Sequence, residues 1–326
     1  MSKLESLHFQ SVSFTGLAPG ARLIVLGAVH GNETCGTQAI RRVIAELESG
    51  QLNIVTGSVT FIPVTNPLAY ALHQRMGDRN LNRNLAPTDT PAEFEDRIAN
   101  WLCPLLTRHD ALLDLHSFHT AGEPFVMLGP EDNRGTLEPF ARAAEETALA
   151  LSLGVHRFVD GWLDTYAAGV ARRLAAGASS READVHYGIG TTEYMRAQGG
   201  IALTLECGQH DDPAAPSVAY RAIHNALAHL RLTDGPAPVP VVGIEALRLY
   251  QVVDRVHAGD AFAHSWSSFD RVTTGELVGM RHDGSPVQAD SDGYIVFPNP
   301  AALPGQEWFY LARPGTRGMD RGQPRG

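Results

Sequence analysis

The sequence predicts an α/β fold, a sheet with helices packed on its faces, followed by a short all-β region. Two observations carry this reading. Short apolar runs that end in polar or Gly-rich turns alternate with helical patterns up to about residue 232, and beyond that point only short β-type runs remain. The first strand is Leu23–Val29, and it feeds a helix whose apolar positions Ile40, Val43, Ile44 and Leu47 recur at helical spacing before Gly50 closes it. Ser58–Val64 is a second strand, stopped by Pro63 and by Asn66-Pro67. Ala111–Leu115 is a third, ending in His116, and Pro124 precedes a fourth over Phe125–Leu128. A helix over Leu137–Leu153, a buried strand over Ile201–Glu206 and a closing helix over Ser217–Leu232 complete the first region, residues 1–232.

At Thr233 the composition changes. The segment TDGPAPVPVVG reads as a stiff connector over 233–242. Beyond it, 243–313 holds short β-type runs separated by turn signals such as Asp283-Gly284 and Asp292-Gly293, a small all-β domain. The tail, 314–326, lacks apolar anchors and is expected to be flexible.

Composition narrows the function classes. With 326 residues and 44% hydrophobic content the chain can bury a sizeable core. A formal net charge of −10 argues against binding nucleic acid or an anionic membrane surface, which need a positive field, so an anionic substrate has to meet a local Arg cluster. The three cysteines, Cys35, Cys103 and Cys207, have no paired spacing and read as buried thiols of a reducing compartment. No stretch approaches the roughly 18–20 apolar residues of a membrane span, and the first residues lack a secretory pattern, so cytoplasmic residence is expected.

Chemistry concentrates at the ends of the apolar runs. RLIVLGAVHGNE ends in His30 and Glu33, an imidazole and a carboxylate three apart with Gly31 between them; the pair is either a metal site or a set of polar turn residues. His116, in LLDLHSFHT, is the candidate third ligand, since open α/β sheets gather ligands at the carboxyl ends of their strands. Asp114 shares its strand-face parity and is placed to back an imidazole, while His119 is the rival ligand further into the turn. Glu206, in IALTLECGQH, is either a general base or a carboxylate salt-bridged at a sheet edge. The loop HQRMGDRNLNRNL gathers Arg75, Arg79, Asn82 and Arg83, residues suited to a carboxylate or an oxyanion and also to a solvated turn.

The four segments GAVHGNE, DRNLNRN, DLHSFHT and LTLECG, in that order, resemble the zinc-carboxypeptidase-like superfamily and, within it, the succinylglutamate desuccinylase and aspartoacylase family. The resemblance covers about residues 20–232. It implies a mixed, largely parallel sheet, one zinc ion per chain held by His30, Glu33 and His116, and Glu206 as the acid/base residue. It also implies that Asn82 and Arg83 clamp a substrate carboxylate, that Arg75 polarises the scissile carbonyl, and that Arg196 is a further substrate-carboxylate Arg, with Tyr194 a looser substrate-binding candidate. One departure stands out: the family's Asp-Leu-Asn-Arg reads here as Asn80-Leu81-Asn82-Arg83, so the acid is an amide. A C-terminal β domain fits the family as a cap that narrows the mouth of the site, with Tyr294 either its contribution or a buried aromatic.

The function implied is zinc-dependent hydrolysis of the amide bond of an N-acyl amino acid or related small carboxylate. A metallocarboxypeptidase or esterase on the same residues, and a non-catalytic zinc-binding module, are the alternatives. The expected partner is a small anionic acyl-amino-acid substrate, with self-association left open.

Overall fold

A computed structural model describes residues 7–177, 179 and 183–318. Its frame is four strands, β2 (Ala18–Leu26), β3 (Thr56–Ile62), β4 (Ala111–Phe118) and β7 (Ile201–Gln209), the first two buried on both faces only over their last four residues. They lie in the order β3-β2-β4-β7 and pair in parallel. Their side chains alternate between two cores, as period-2 geometry requires. Leu23, Val25, Leu113, Leu115, Leu203 and Leu205 point to a face covered by α1 (Cys35–Glu48), α4 (Ala143–Ser152) and α7 (Ala215–His229). Ile24, Leu26, Leu112 and Ala202 point the other way, against α3 (Phe94–Leu106) and α6 (Thr191–Ala197). Burial on both faces explains why these strands read as continuous apolar runs.

An edge strand, β1 (Val12–Thr15), joins β3 antiparallel. On the far side β5 (Phe125–Met127) pairs antiparallel with β7, and β6 (Arg157–Asp160) pairs parallel with β5. The C-terminal β region is present, and four of its strands prolong the same sheet: β8 (Glu245–Asp254) pairs parallel with β6, followed by β14 (Glu307–Pro314), β13 (Gly293–Val296) and β10 (Arg271–Val272). Three short strands, β9 (Ala261–Phe262), β11 (Leu277–Met280) and β12 (Pro286–Gln288), form a separate small sheet. Backbone hydrogen bonds therefore join the C-terminal strands to the first region, and Trp308, Phe309 and Leu311 of β14 are buried in the core.

Several elements differ in extent from the sequence reading. The first strand stops at Leu26, because Gly27 and Ala28 turn the chain and Ala28 adopts a left-handed φ of 47°. β4 and β7 run on to Phe118 and Gln209 because those two residues pair with each other. The helix expected over 137–153 is confined to Ala143–Ser152: Pro139 disfavours helix in its predecessor, and Asn133 and Phe140 pair backbone to backbone instead. α2 (Pro67–Leu72), α3, α5 (Trp162–Ala175) and α6 were not foreseen as helices. The start of the expected flexible tail is anchored: Arg317 is buried and donates to the carbonyls of Gly129 and Ala143 and to Thr147 Oγ1. Residues 319–326 of that tail lie outside the described residues.

Gly31 matters for close approach rather than backbone freedom. A Cβ there would run into the Ala69 carbonyl of α2. Gly31→Ala is expected to lower stability by about 1–3 kcal/mol through that overlap, read from the denaturant midpoint. A wild-type midpoint would mean the loop relaxes freely.

Candidate active site

Three chain segments converge at the carboxyl edge of the sheet. The loop after β2 is tied at its start: Gly27 N–H donates to Ile62 O, Thr65 N–H to Gly27 O and Asn66 N–H to Ala28 O, and α1 takes over at Cys35. This fixes the loop carrying His30 and Glu33. The β4–β7 register then sets His116 directly beside Glu206. His30, Glu33 and His116 are each at most 2% exposed, and Glu206 is 7% exposed.

Glu33 stands between the two imidazoles. Its Oε1 is 2.8 Å from His30 Nδ1 and its Oε2 is 2.8 Å from His116 Nδ1, with the rings 5.0 Å apart. The other ring nitrogens face outward, His30 Nε2 3.0 Å from Asn80 Oδ1 and His116 Nε2 3.0 Å from Asp114 Oδ2. Asp114 in turn accepts from the Thr191 hydroxyl at 2.5 Å. This is how ligand histidines are oriented: one nitrogen aims at the ion, the other is held by an oxygen behind it. His30 Nδ1 is buried and lacks a well-directed hydrogen bond, and the ligand atoms of the three residues lie within 4.8 Å of one another. Two nitrogens and a carboxylate suit a divalent ion that takes nitrogen and oxygen, so the three could hold a metal. The replaced acid of the Arg-rich loop, Asn80, is the residue behind His30.

Burial pushes the His30 imidazole down to about 4, with the Arg75 charge adding to the effect. Burial would also lower His116, but Asp114 and Glu33 outweigh it and hold that imidazole well above the usual range. Desolvation works to raise the Glu33 carboxyl, yet the two imidazoles keep it well below its ordinary value. Asp114 and Glu33 thus favour positive charge at His116, between the carboxylates around it.

Glu206 differs from these. Burial drives its carboxyl up to about 8, against a partial opposing pull from His116, and its Oε2 has no hydrogen-bond partner. A carboxyl poised near neutrality and facing a cavity suits proton transfer. That cavity encloses about 640 Å³ and is lined by His30, Glu33, His116 and Glu206, together with the Arg-rich loop and residues of the β13–β14 turn. Arg75, half-exposed, lies at the same place with Nη1 2.8 Å from Glu33 Oε1.

The remaining sequence candidates separate. Asn82 lines the cavity, and its Oδ1 accepts from the Thr191 N–H at 2.8 Å, an approach allowed because Gly190 has no side chain. Arg83 also lines the cavity, but it lies 4.7 Å over the Trp162 ring with Nη2 3.1 Å from Glu307 Oε1, so a carboxylate of the chain already holds it. Arg196 reaches the cavity wall yet is buried among Glu146, Glu138 and Glu193 at 2.9, 2.7 and 3.5 Å; three carboxylates bind it within the fold, which corrects its assignment to substrate. Tyr194 turns its hydroxyl to Thr107 and Cys103 on the α3 side, away from the cavity, and that expectation is corrected as well. His119 is in the cavity wall against His210, outside the ligand cluster. Tyr294 packs in the C-terminal core, and Glu307, Phe297 and Tyr310 line the cavity instead. Glu307 lies 224 positions from Arg83, and no local pattern announces the contact.

Two outcomes follow from the electrostatics. Because a metal must displace the proton that Asp114 and Glu33 hold on His116, zinc affinity is expected to rise from pH 6 to pH 8 in a chelator competition titration; a flat profile would contradict the ligand role of His116. The Glu206 pKa is raised on folding, so its contribution to stability is complete below pH ~4.5 and is lost as pH rises through about 8. In metal-free protein, Glu206→Gln should therefore gain stability over wild type between pH 5 and pH 8, by on the order of 1 kcal/mol or more. Unfolding curves that keep a constant offset would refute the buried carboxyl's shift.

Comparison with known proteins bears on the fold and the family. A search of curated proteins finds no significant sequence match. Among solved structures, a succinylglutamate desuccinylase/aspartoacylase from Rhodobacter sphaeroides superposes with a TM-score of 0.70 at 18% identity, over 95% of this chain and 90% of that one. An aspartoacylase family protein from Mesorhizobium loti gives 0.65 at 22% identity, over 95% and 90%. The product-bound ectoine utilization protein of Ruegeria pomeroyi gives 0.66 at 19% identity, over 93% and 88%. These likenesses establish the fold. The family model for the succinylglutamate desuccinylase/aspartoacylase catalytic domain matches residues 19–230, and with its residues folded into this arrangement the chain belongs to that family of deacylases.

Proposed function

We propose that this protein is a zinc-dependent hydrolase that cleaves the amide bond of an N-acyl amino acid or a related small carboxylate. Family membership supports the hydrolase class. The observation that carries the finer reading is the unpartnered, buried carboxyl of Glu206 in register with His116 of the His30–Glu33–His116 cluster. A structural metal site needs no such group.

In this reading His30, Glu33 and His116 would hold the ion, and Asn80 and Asp114 fix the two rings. When bound, zinc supplies a Lewis acid that acidifies water and polarises a carbonyl. Glu206, with its Oε2 unpartnered and its strand in register with His116, would take the proton from the attacking water in its ionised form and return it to the leaving nitrogen. Arg75 brings a guanidinium to the cavity beside the cluster, where it stabilises the negative charge that develops on the carbonyl oxygen. Asn82, pinned by Thr191, positions the substrate. Residues 1–232 carry the chemistry, and 243–313 cap it. A cavity of about 640 Å³, walled by the β13–β14 turn, favours a small substrate over a peptide. Three buried free thiols support a cytoplasmic setting. Among the described residues no helix is long and apolar enough to cross a membrane.

The test is hydrolysis of a panel of N-acyl amino acids, esters and short peptides by zinc-loaded protein. Turnover is expected on N-acyl compounds. Glu206→Gln should reduce kcat by about 10²–10⁴ with zinc content unchanged, and Arg75→Ala by about 10². Full activity in Glu206→Gln would remove the proposed base, and zinc binding without hydrolysis of any amide or ester would favour the non-catalytic alternative.

A further inference from the structure

The arginines of the cavity wall are already matched by carboxylates of the chain itself. Arg83 pairs with Glu307 at 3.1 Å, and its guanidinium lies over the Trp162 and Tyr166 rings at 4.7 and 5.8 Å. Arg173 is held in two-pronged fashion by Asp254 at 2.6 and 2.7 Å. Arg196 is enclosed by Glu138, Glu146 and Glu193. Of the four arginines lining the cavity, this leaves Arg75, whose carboxylate partner Glu33 is itself a candidate metal ligand.

Glu307 is rooted rather than mobile. It opens β14, pairs with Asp254 of β8, and is followed by Trp308 and Phe309, each 1% exposed. Arg83 is equally confined, with Nη1 donating to Asn82 O at 2.9 Å and its side chain 10% exposed. A substrate carboxylate could reach Arg83 only by displacing Glu307, which would break that ion pair and set a second carboxylate beside Glu307, with Arg173 and Arg75 the remaining cations near it.

We propose that Glu307 is a specificity-determining residue that occupies the Arg83 position in place of a substrate carboxylate, so that the amine half of the substrate carries a neutral or cationic group there. The chemical class is then an N-acylated amine or amino-acid amide rather than a free N-acyl amino acid. This rests on the hydrolase reading for the reaction and the location of the reacting bond, and replaces its carboxylate substrate with the neutral or cationic counterpart. The pairing of Arg83 with Glu307 separates the two, because it governs binding whether or not a bond is cleaved.

The experiment compares N-acetylalanine with N-acetylalaninamide on zinc-loaded wild type, Glu307→Gln and the doubly neutral Arg83→Gln/Glu307→Gln protein. Binding is measured by calorimetry and hydrolysis by amine release. Wild type should prefer the amide by about tenfold or more in affinity. Glu307→Gln frees Arg83 and should reverse the preference toward the carboxylate by a similar factor. The double variant, which removes both charges and so leaves no buried ion unpaired if the single variant misfolds, should show no carboxylate preference. Wild type that binds N-acetylalanine as tightly as the amide, an unchanged ratio in Glu307→Gln, or no detectable binding of either compound to wild type would each overturn the proposal. The predicted reversal of binding without hydrolysis of either compound would uphold it and count against the hydrolase reading alone.

Discussion

The carboxylate of Glu33, shared between the Nδ1 atoms of His30 and His116, is the contact around which the rest of the site is arranged. A 1%-exposed carboxylate cannot stand there uncompensated. Two imidazoles, Arg75 and the Ser117 N–H face it, and Asn80 and Asp114 hold the imidazoles from behind. A divalent ion would answer the same electrostatic demand more completely than a proton on His116 does. Charge balance and ligand geometry thus point to one kind of occupant.

The sheet delivers these groups without strain along its central strands. β4 and β7 are parallel neighbours, so a histidine and a glutamate at matched positions emerge side by side at the same edge. The apolar residues beneath them are almost fully buried on both faces, which fixes the strands against slippage: a shift of one residue would turn every side chain to the wrong core. The C-terminal strands prolong this sheet and bring Glu307, Phe297 and Tyr310 to the cavity from a region distant in sequence. The edge that carries His30, Glu33, His116 and Glu206 is built within residues 19–230, the part that matches the family model. What distinguishes its pocket comes largely from later ones.

The central strands and the convergence of His30, Glu33 and His116 were legible in the sequence because both rest on local signals. Apolar runs mark strands buried on two faces, and polar residues at the ends of such runs mark the edge where ligands gather. The parity of Asp114 and His116 correctly foretold an oxygen behind the imidazole. The misreadings arose where partners are remote. Arg196 looks like a free cation until Glu138 and Glu146 are folded onto it, and Tyr194 like a cavity residue until its helix face is set against α3. Arg83 was placed in the cavity, but its engagement by Glu307 depends on the pairing of β14 with β8. A charged side chain's position is a local property, whereas its availability is a property of the whole fold.

If His30, Glu33 and His116 form a metal centre, a bound ion has a defined set of neighbours. X-ray absorption at the zinc K-edge of the zinc-loaded protein tests it most directly. A shell of nitrogen and oxygen neighbours at roughly 2.0–2.2 Å is expected, with outer-shell scattering from two imidazoles that falls to one in His116→Ala. A shell containing sulfur at about 2.3 Å, from the buried cysteines, or an oxygen-only shell without imidazole scattering, would contradict it.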